Sequence, residues 1–174
     1  MVERLAAVMI PLVQIAIISD THMPRGARRL PDDCVARLRA ADLIVHAGDF
    51  VTVEVLHELE SLARVVGVHG NVDSPDLRRQ LPAAALVRED GAAIAVLHDA
   101  GRAGGRVERL RRRFPEAGAV VFGHSHIPLH ERAPDGFQIF NPGSPTERRR
   151  APHHTMGVAT VTGGAIEFEL IRLD

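Results

Sequence analysis

Several short polar motifs in this 174-residue chain combine side chains that bind divalent metals. Asp20-Thr21-His22 sets a carboxylate and an imidazole one residue apart, and in an extended loop both reach a single ion. Gly48-Asp49 joins a residue that permits close backbone approach to one that supplies carboxylate oxygens. Gly70-Asn71 offers a neutral carbonyl oxygen, His98 an imidazole, and Gly123-His124-Ser125-His126 two more. Each pair taken singly is more often structural than functional. Their recurrence in order along the chain carries the signal. Mixed oxygen and imidazole donors suit Mn²⁺, Fe²⁺, Zn²⁺ or Ni²⁺, whereas Ca²⁺ takes oxygens alone.

The elements that must hold these residues are legible from hydrophobic patterning. A β-branched apolar run over 13–18 reads as a strand buried on both faces and ends at Ser19-Asp20. Asp32 or Asp33 is placed to cap a helix whose buried face carries Val35, Leu38 and Ala41. Strands are expected at 43–45 and 65–68, with a helix over 53–62 between them and a short helical turn at 76–81. Leu86-Val87 and residues 92–97 flank a Glu89-Asp90-Gly91 turn, a hairpin signature. A basic amphipathic helix over 105–114 precedes a strand at 119–122. Residues 129–133, 137–140, 156–162 and 165–172 read as antiparallel strands. The first half alternates strand and helix and the second is mostly strand, which points to an α/β sandwich mixing crossovers with hairpins. Five of these strands end at Asp20, Asp49, Asn71, His98 and His124. In open α/β sheets the ligand crevice lies beyond the carboxyl ends of the strands, so five such endings converge on one rim.

Composition narrows the partners. The 21 basic and 22 acidic residues leave a net charge of -1, giving no electrostatic reason to expect nucleic acid or an anionic membrane. With 3% aromatic residues and neither Trp nor Tyr, base-stacking platforms are disfavoured. Cys34 stands alone, so no disulfide forms within the chain, and it reads as a small buried apolar residue. The apolar stretch from Leu5 is too short to span a bilayer, and Pro11 and Gln14 interrupt it, unlike a signal peptide. It reads as a fraying terminus leading into the first strand, with Met9 a second candidate start, and the protein is expected to be cytoplasmic.

The ordered set Asp20-Thr21-His22, Gly48-Asp49, Gly70-Asn71-Val72-Asp73, His98 and Gly123-His124-Ser125-His126 resembles the calcineurin-like metallophosphoesterase superfamily. The resemblance runs from about Ile15 to Phe140 and looks closest to the small bacterial and archaeal phosphodiesterases of the YfcE type. Asn141-Pro142-Gly143-Ser144 resembles a loop typical of that subgroup. What this implies is a single domain over 1–174, folded as a four-layer αββα sandwich of two mixed sheets flanked by helices. It also implies two divalent metals, Mn²⁺ expected first. Asp20, His22, Asp49 and His126 would hold one, and Asp49, Asn71, His98 and His124 the other, with Asp49 bridging. The implied activity is phosphodiester hydrolysis of a small or nucleotide-like substrate by a metal-bridged hydroxide. Asn71 and His124 would also act catalytically by stabilising the phosphoryl oxygens. Phosphomonoester hydrolysis on the same centre is one alternative. A non-catalytic scaffold is another, since a relative of this fold serves in trafficking after losing ligands. Homo-oligomerisation through exposed hairpins is compatible with the pattern.

Two positions depart from the family pattern. Many members place a histidine after the Gly-Asn pair, where it is thought to protonate the leaving group; here the residue is Val72, as in others of the small subgroup. Asp99 follows His98 where many relatives have glycine, and it can orient a ligand or simply close a turn. Asp73 has the same two readings. His46, His57, His69, His130, His153 and His154 read as structural or surface residues, with His46 and His69 also near enough to support a site. Ser125 reads as a turn residue. Arg25, Arg28 and Arg29 are candidates to meet a substrate phosphate, and Arg109 and Arg111 to Arg113 read as a solvated helix face.

Overall fold

The computed structural model describes residues 12–174; the expectations for the terminus and for the start at Met1 or Met9 lie outside the described residues. The first half alternates as expected: β1 (Val13–Ile18), α1 (Asp32–Ala40), β2 (Leu43–His46), α2 (Val53–Glu60), β3 (Val65–Gly67) and α3 (Pro75–Gln80). The second half is strand-rich: β4 (Ala84–Glu89), β5 (Ala92–Leu97), α4 (Arg106–Arg113), β6 (Ala119–Val121), β7 (Leu129–Arg132), β8 (Gln138–Asn141), β9 (Thr155–Thr162) and β10 (Ala165–Arg172).

The strands form two five-stranded mixed sheets, ordered β10-β9-β1-β2-β3 and β4-β5-β6-β8-β7. In the first, β1, β2 and β3 are parallel and the β9–β10 hairpin adds antiparallel to β1. In the second, β5, β6 and β8 are parallel, with β4 and β7 antiparallel at the edges. The pairing of β8 corrects the expectation that residues 137–140 pair only antiparallel: β8 is antiparallel to β7 and parallel to β6. Residues 122–137 carry the chain away from β6 and back through β7, so β8 re-enters in the same direction as β6.

Period-two alternation sorts each central strand into two cores. Ile15 and Ile17 of β1 face the second sheet, where they meet Ile94, Val96, Val121 and Phe140. Ala16 and Ile18 face the other way, against Cys34 and Leu38 of α1 and Leu56 and Leu59 of α2. On the far side, Ala95, Leu97, Val120 and Ile139 pack beneath Leu110 of α4. The result is the four-layer αββα sandwich, with the strands apolar on both faces because both faces are covered.

Capping of α1 differs from expectation. Pro31 occupies the N-cap position without a side-chain hydrogen bond, and Asp32 and Asp33 fall inside the first turn. Proline's fixed φ pre-forms the entry, and the two carboxylates meet the positive end of the helix dipole instead of capping it. The helix over 53–62 stops at Glu60 and the strand over 65–68 stops at Gly67, both within ordinary fraying. Among the described residues no helix is long and apolar enough to cross a membrane.

Phe140 is fully buried between the sheets and stacks on Phe168 with ring centroids 4.6 Å apart. Truncation to alanine leaves a cavity that two rigid sheets cannot close. Phe140→Ala should lower unfolding free energy by about 3–5 kcal/mol, read as a shift of the urea midpoint at unchanged slope.

Candidate metal centre

The loops after β1, β2, β3, β5 and β6 meet at one edge of the sandwich, where the two sheets open onto solvent. Each carboxylate there divides its oxygens between two tasks. Oδ2 of Asp20 accepts the His124 backbone N–H at 3.0 Å, tying the β1 loop to the β6 loop across the sheets. Its Oδ1 faces His126 Nε2 at 3.4 Å and His22 Nε2 at 3.9 Å. Oδ1 of Asp49 accepts the Val72 N–H at 3.0 Å. Its Oδ2 sits 3.4 Å from His22 Nε2 and 3.3 Å from His98 Nε2. Asn71 Oδ1 lies 3.0 Å from His98 Nε2 and 3.1 Å from His124 Nδ1. All seven residues singled out in the sequence are thus brought together.

The donor set fits a cation. Asp20 Oδ1, His22 Nε2 and His126 Nε2 are buried without a hydrogen-bond partner, an arrangement that a hydrogen-bonded core avoids. Asp20, His22 and His126 form one cluster able to hold an ion, and Asp20, Asp49 and His98 a second that overlaps it.

The imidazoles are oriented from behind. His98 Nδ1–H donates to the Ala47 carbonyl at 2.8 Å, and His126 Nδ1–H donates to the Glu147 carbonyl. His22 Nδ1 faces the Glu147 carboxylate at 3.4 Å, and that carboxylate is itself paired with Arg28 at 3.3 Å. Each contact fixes the tautomer that turns the Nε2 lone pair into the site. Glu147 was missed in the sequence; nothing but its position three residues after Ser144 pointed to it. Arg28, a candidate for greeting a phosphate, is committed to Glu147.

Asp73 resolves as a clamp. It accepts backbone N–H groups from Asp49 (3.1 Å), Val51 (2.7 Å) and Gly70 (2.7 Å), binding the β2 loop to the β3 loop. The Asn141–Ser144 loop does the same for the other pair of loops. Asn141 Nδ2–H donates to the Gly123 carbonyl (2.9 Å) and to Ser125 Oγ (3.1 Å), while Ser144 Oγ–H donates to the Asp20 carbonyl (2.8 Å). Thr146 Oγ1–H adds a bond to the Thr21 carbonyl at 2.6 Å. Ser125, held this way, is a turn residue. Asp99 Oδ1 accepts the Gly101 N–H at 2.7 Å, so this oxygen closes a turn and does not orient a ligand.

Close approach explains two glycines. A Cβ on Gly70 would lie 2.0 Å from Asp49 Oδ1, and one on Gly123 would lie 1.9 Å from Ser19 Oγ. Backbone strain also concentrates here. Asp20, His22, Asp49, His124 and His126 all have φ between 47° and 68°, the left-handed region that L side chains avoid.

Charge in the site follows from this packing. Burial alone would lower the His22 pKa, but the Asp20 and Asp49 carboxylates more than offset it and raise it to about 9. His98 is likewise depressed by burial and raised on balance by Asp49 and Asp20. Burial favours a neutral Asp49 carboxyl, yet hydrogen bonds from His22 and His98 and the Val72 N–H hold it well below the usual carboxylate range. His126 stays lowered, because burial outweighs the Asp20 charge and the bond to the Glu147 carbonyl. His46 lies behind the site as a satisfied core histidine. Burial pushes it down to about 3, its Nδ1 accepts the Gly48 N–H at 3.1 Å and its Nε2 bonds Thr21 Oγ1 at 3.1 Å. Cys34, raised by burial to about 12, is inert. His57 is exposed, His130 bonds Gln138, and His153 and His154 pair with Asp174.

Residues 13–164 match the calcineurin-like phosphoesterase superfamily domain. The chain belongs to that superfamily. A probable metallophosphoesterase of Methanothermobacter thermautotrophicus is 34% identical over 160 residues, with 91% of each chain covered. A Thermotoga maritima protein of known solution structure is 31% identical with a TM-score of 0.73, covering 92% of this chain and 99% of its own. Vacuolar protein sorting 29 of Cryptosporidium parvum superposes with a TM-score of 0.81 at 20% identity, covering 94% of this chain and 92% of its own, a likeness of fold. Within this metallophosphoesterase superfamily, the buried Asp and His clusters are the candidate metal-binding residues.

Two outcomes are expected. Asp73→Asn replaces an acceptor of three N–H groups with an amide that meets them with one oxygen. Stability should fall by about 2–3 kcal/mol in denaturant titration, with a parallel loss of metal occupancy. Second, a cation must displace the proton that the raised pKa leaves on His22 at pH 7. Calorimetry in buffers of different ionisation enthalpy should show proton release on metal binding, with affinity rising as pH increases towards about 9. In the metal-free protein the sign reverses for stability. The His22 contribution is fully present below its ordinary pKa of 6.5 and is lost as pH rises through about 9.

Proposed function

We propose that this superfamily member is a divalent-metal-dependent phosphodiesterase acting on small or nucleotide-like esters. In this reading Asp20, His22, Asp49 and His126 hold one ion, and Asp49, Asn71, His98 and His124 hold the other. Mn²⁺ is the first candidate, with Ni²⁺, Zn²⁺ and Fe²⁺ as alternatives. The observation that carries it is the position of Asp49 Oδ2. It is shared at 3.4 and 3.3 Å between His22 and His98, the imidazoles of the two donor groups. When bound, the ions supply Lewis acidity and a water acidified to near neutral pKa.

The chain's own residues supply the rest. Asn71 turns its Oδ1 towards His98 and His124, which leaves its amide N–H groups to donate to a phosphoryl oxygen. His124 likewise uses Nδ1 towards Asn71, and its exposed ring leaves Nε2 to donate outward. Both donors stand where negative charge grows on the phosphoryl group, and donors positioned in advance stabilise that charge without reorganising. Val72 follows Asn71 and has no proton to give. The departing oxygen must therefore take its proton from solvent, and rate should depend steeply on leaving-group pKa. A cavity of about 300 Å³ opens beside Asn71, His98 and His124. It leaves room for an ester substituent, which favours a diester over a monoester. A purely structural role as a scaffold is disfavoured by a complete set of donors, since none of the seven positions has been lost.

Hydrolysis of bis-p-nitrophenyl phosphate with added Mn²⁺ should exceed that of p-nitrophenyl phosphate by at least about tenfold in kcat/KM, and Asp49→Ala should abolish both. Absence of turnover with every divalent metal at measured full occupancy would overturn the reading. A higher rate on the monoester would transfer the assignment to a phosphomonoesterase.

A further inference from the structure

The cavity beside Asn71, His98 and His124 continues outward between α3 and the end of α4. Its wall carries Arg78, Arg113, His69 and Asp99, with Ala83 and Leu97 supplying apolar surface. Several arginines among the described residues are spent on carboxylates. Arg64 meets Glu89, Arg79 meets Asp76, Arg88 meets Glu116 and Arg111 meets Asp135. Arg78 and Arg113 are not in any ion pair among the described residues. The Arg78 guanidinium is fixed instead by two backbone carbonyls, its Nε–H donating to Asp73 at 3.0 Å and an Nη2–H to Asn71. That anchoring holds one edge of a cation in place and leaves Nη1 free. The one carboxylate on the wall, Asp99, has its Oδ1 engaged with the Gly101 N–H. His69 adds a buried Nδ1 with no hydrogen-bond partner, a group that calls for a polar ligand or water.

We propose that this cavity is an anion subsite, and that the natural substrate carries a second phosphate on the group esterified to the reacting phosphorus. The inference rests on the phosphodiesterase reading for the position of the reacting phosphorus, and on the cavity's own chemistry for the second anion. A planar guanidinium that is held and unpaired matches phosphate oxygens in a bidentate way, and a second one across the cavity adds charge. A neutral alcohol substituent would leave both guanidiniums without an anionic partner.

The subsite is testable by binding, apart from turnover. Thymidine 3′,5′-bisphosphate and thymidine 5′-phosphate are titrated calorimetrically into the Mn²⁺-loaded protein. The bisphosphate should bind at least about tenfold more tightly. Arg113→Ala should cut that advantage to below about threefold, Arg113→Glu should remove it, and Arg113→Lys should retain part of it. Arg113 is exposed at the end of α4, so these variants leave the core untouched. Equal affinities in the wild type, or an advantage that survives Arg113→Glu, would overturn the subsite. Cleavage of the p-nitrophenyl ester of thymidine 5′-phosphate separates the two readings. Turnover with equal nucleotide affinities sinks the subsite alone. A tenfold binding preference without any turnover sinks the diesterase and leaves the subsite standing.

Discussion

Two carboxylates are buried where the sheets meet, Asp20 and Asp49, at 0% and 2% exposure. An anion taken out of water costs several kcal/mol unless charge and hydrogen bonds replace its hydration. Each carboxylate recovers one hydrogen bond from a backbone N–H, Asp20 from His124 and Asp49 from Val72. The other oxygen of each is left facing imidazole nitrogens. Without a cation, the only way to neutralise those oxygens is to load protons onto His22 and His98, which is why both are raised despite burial. With a cation, the same nitrogens become neutral donors. Protons and a divalent cation therefore compete for the same carboxylate oxygens and imidazole nitrogens.

The sandwich gives that charge its address. Parallel strands in both sheets deliver their carboxyl ends to one edge, but strands alone do not bring side chains from opposite sheets within 3–4 Å. The short loops do so, and they are fastened to one another by side chains outside the seven donors. Asp73 holds the β2 and β3 loops, and Asn141 and Ser144 hold the β6 and β1 loops. Glu147 then fixes two of the imidazoles from behind, His126 through its carbonyl and His22 through its carboxylate. Asp73, Asn141 and Ser144 bond to backbone and Glu147 to imidazole nitrogens, which ties the ligand geometry to these few residues.

Much of this was legible in the sequence, and the limits have physical causes. Strand ends could be read because a doubly covered strand is an unbroken apolar run, and the polar residue after Ile18 or Leu97 marks where the run stops. Five of the seven donors could be read because they recur at those endings, and His22 and His126 because each lies two residues beyond one of them. Asp73 could be noticed but not assigned, since a carboxylate that binds three amides and one that orients an imidazole look alike as letters. Glu147 could not be found, because its role depends on the chain folding back from β8 across the first loop. The parallel entry of β8 was hidden for the same reason: pairing across sequence distance follows from how the intervening segment turns. At α1, the acidic pair after Pro31 is a sound cap signal that proline pre-empted.

The left-handed backbone at Asp20, His22, Asp49, His124 and His126 shows how the two halves of the problem are linked. At about 1 kcal/mol each, the five residues together store on the order of 5 kcal/mol, comparable to the whole net stability of a small domain. Apolar packing does not hold such a conformation, because all five side chains are polar and four of them, Asp20, His22, Asp49 and His126, are buried with donors aimed into the site. The buried bonds from Asp73, Asn141, Ser144 and the two site carboxylates to backbone groups of the same loops can, at about 1–3 kcal/mol per charged or buried acceptor. Strain and fasteners are thus one system. Relaxing any left-handed residue would swing its side chain away from the charge it serves and would break the bond that anchors the neighbouring loop. That coupling is what lets loops, ordinarily the least rigid parts of a fold, hold seven donors in place at an edge open to solvent.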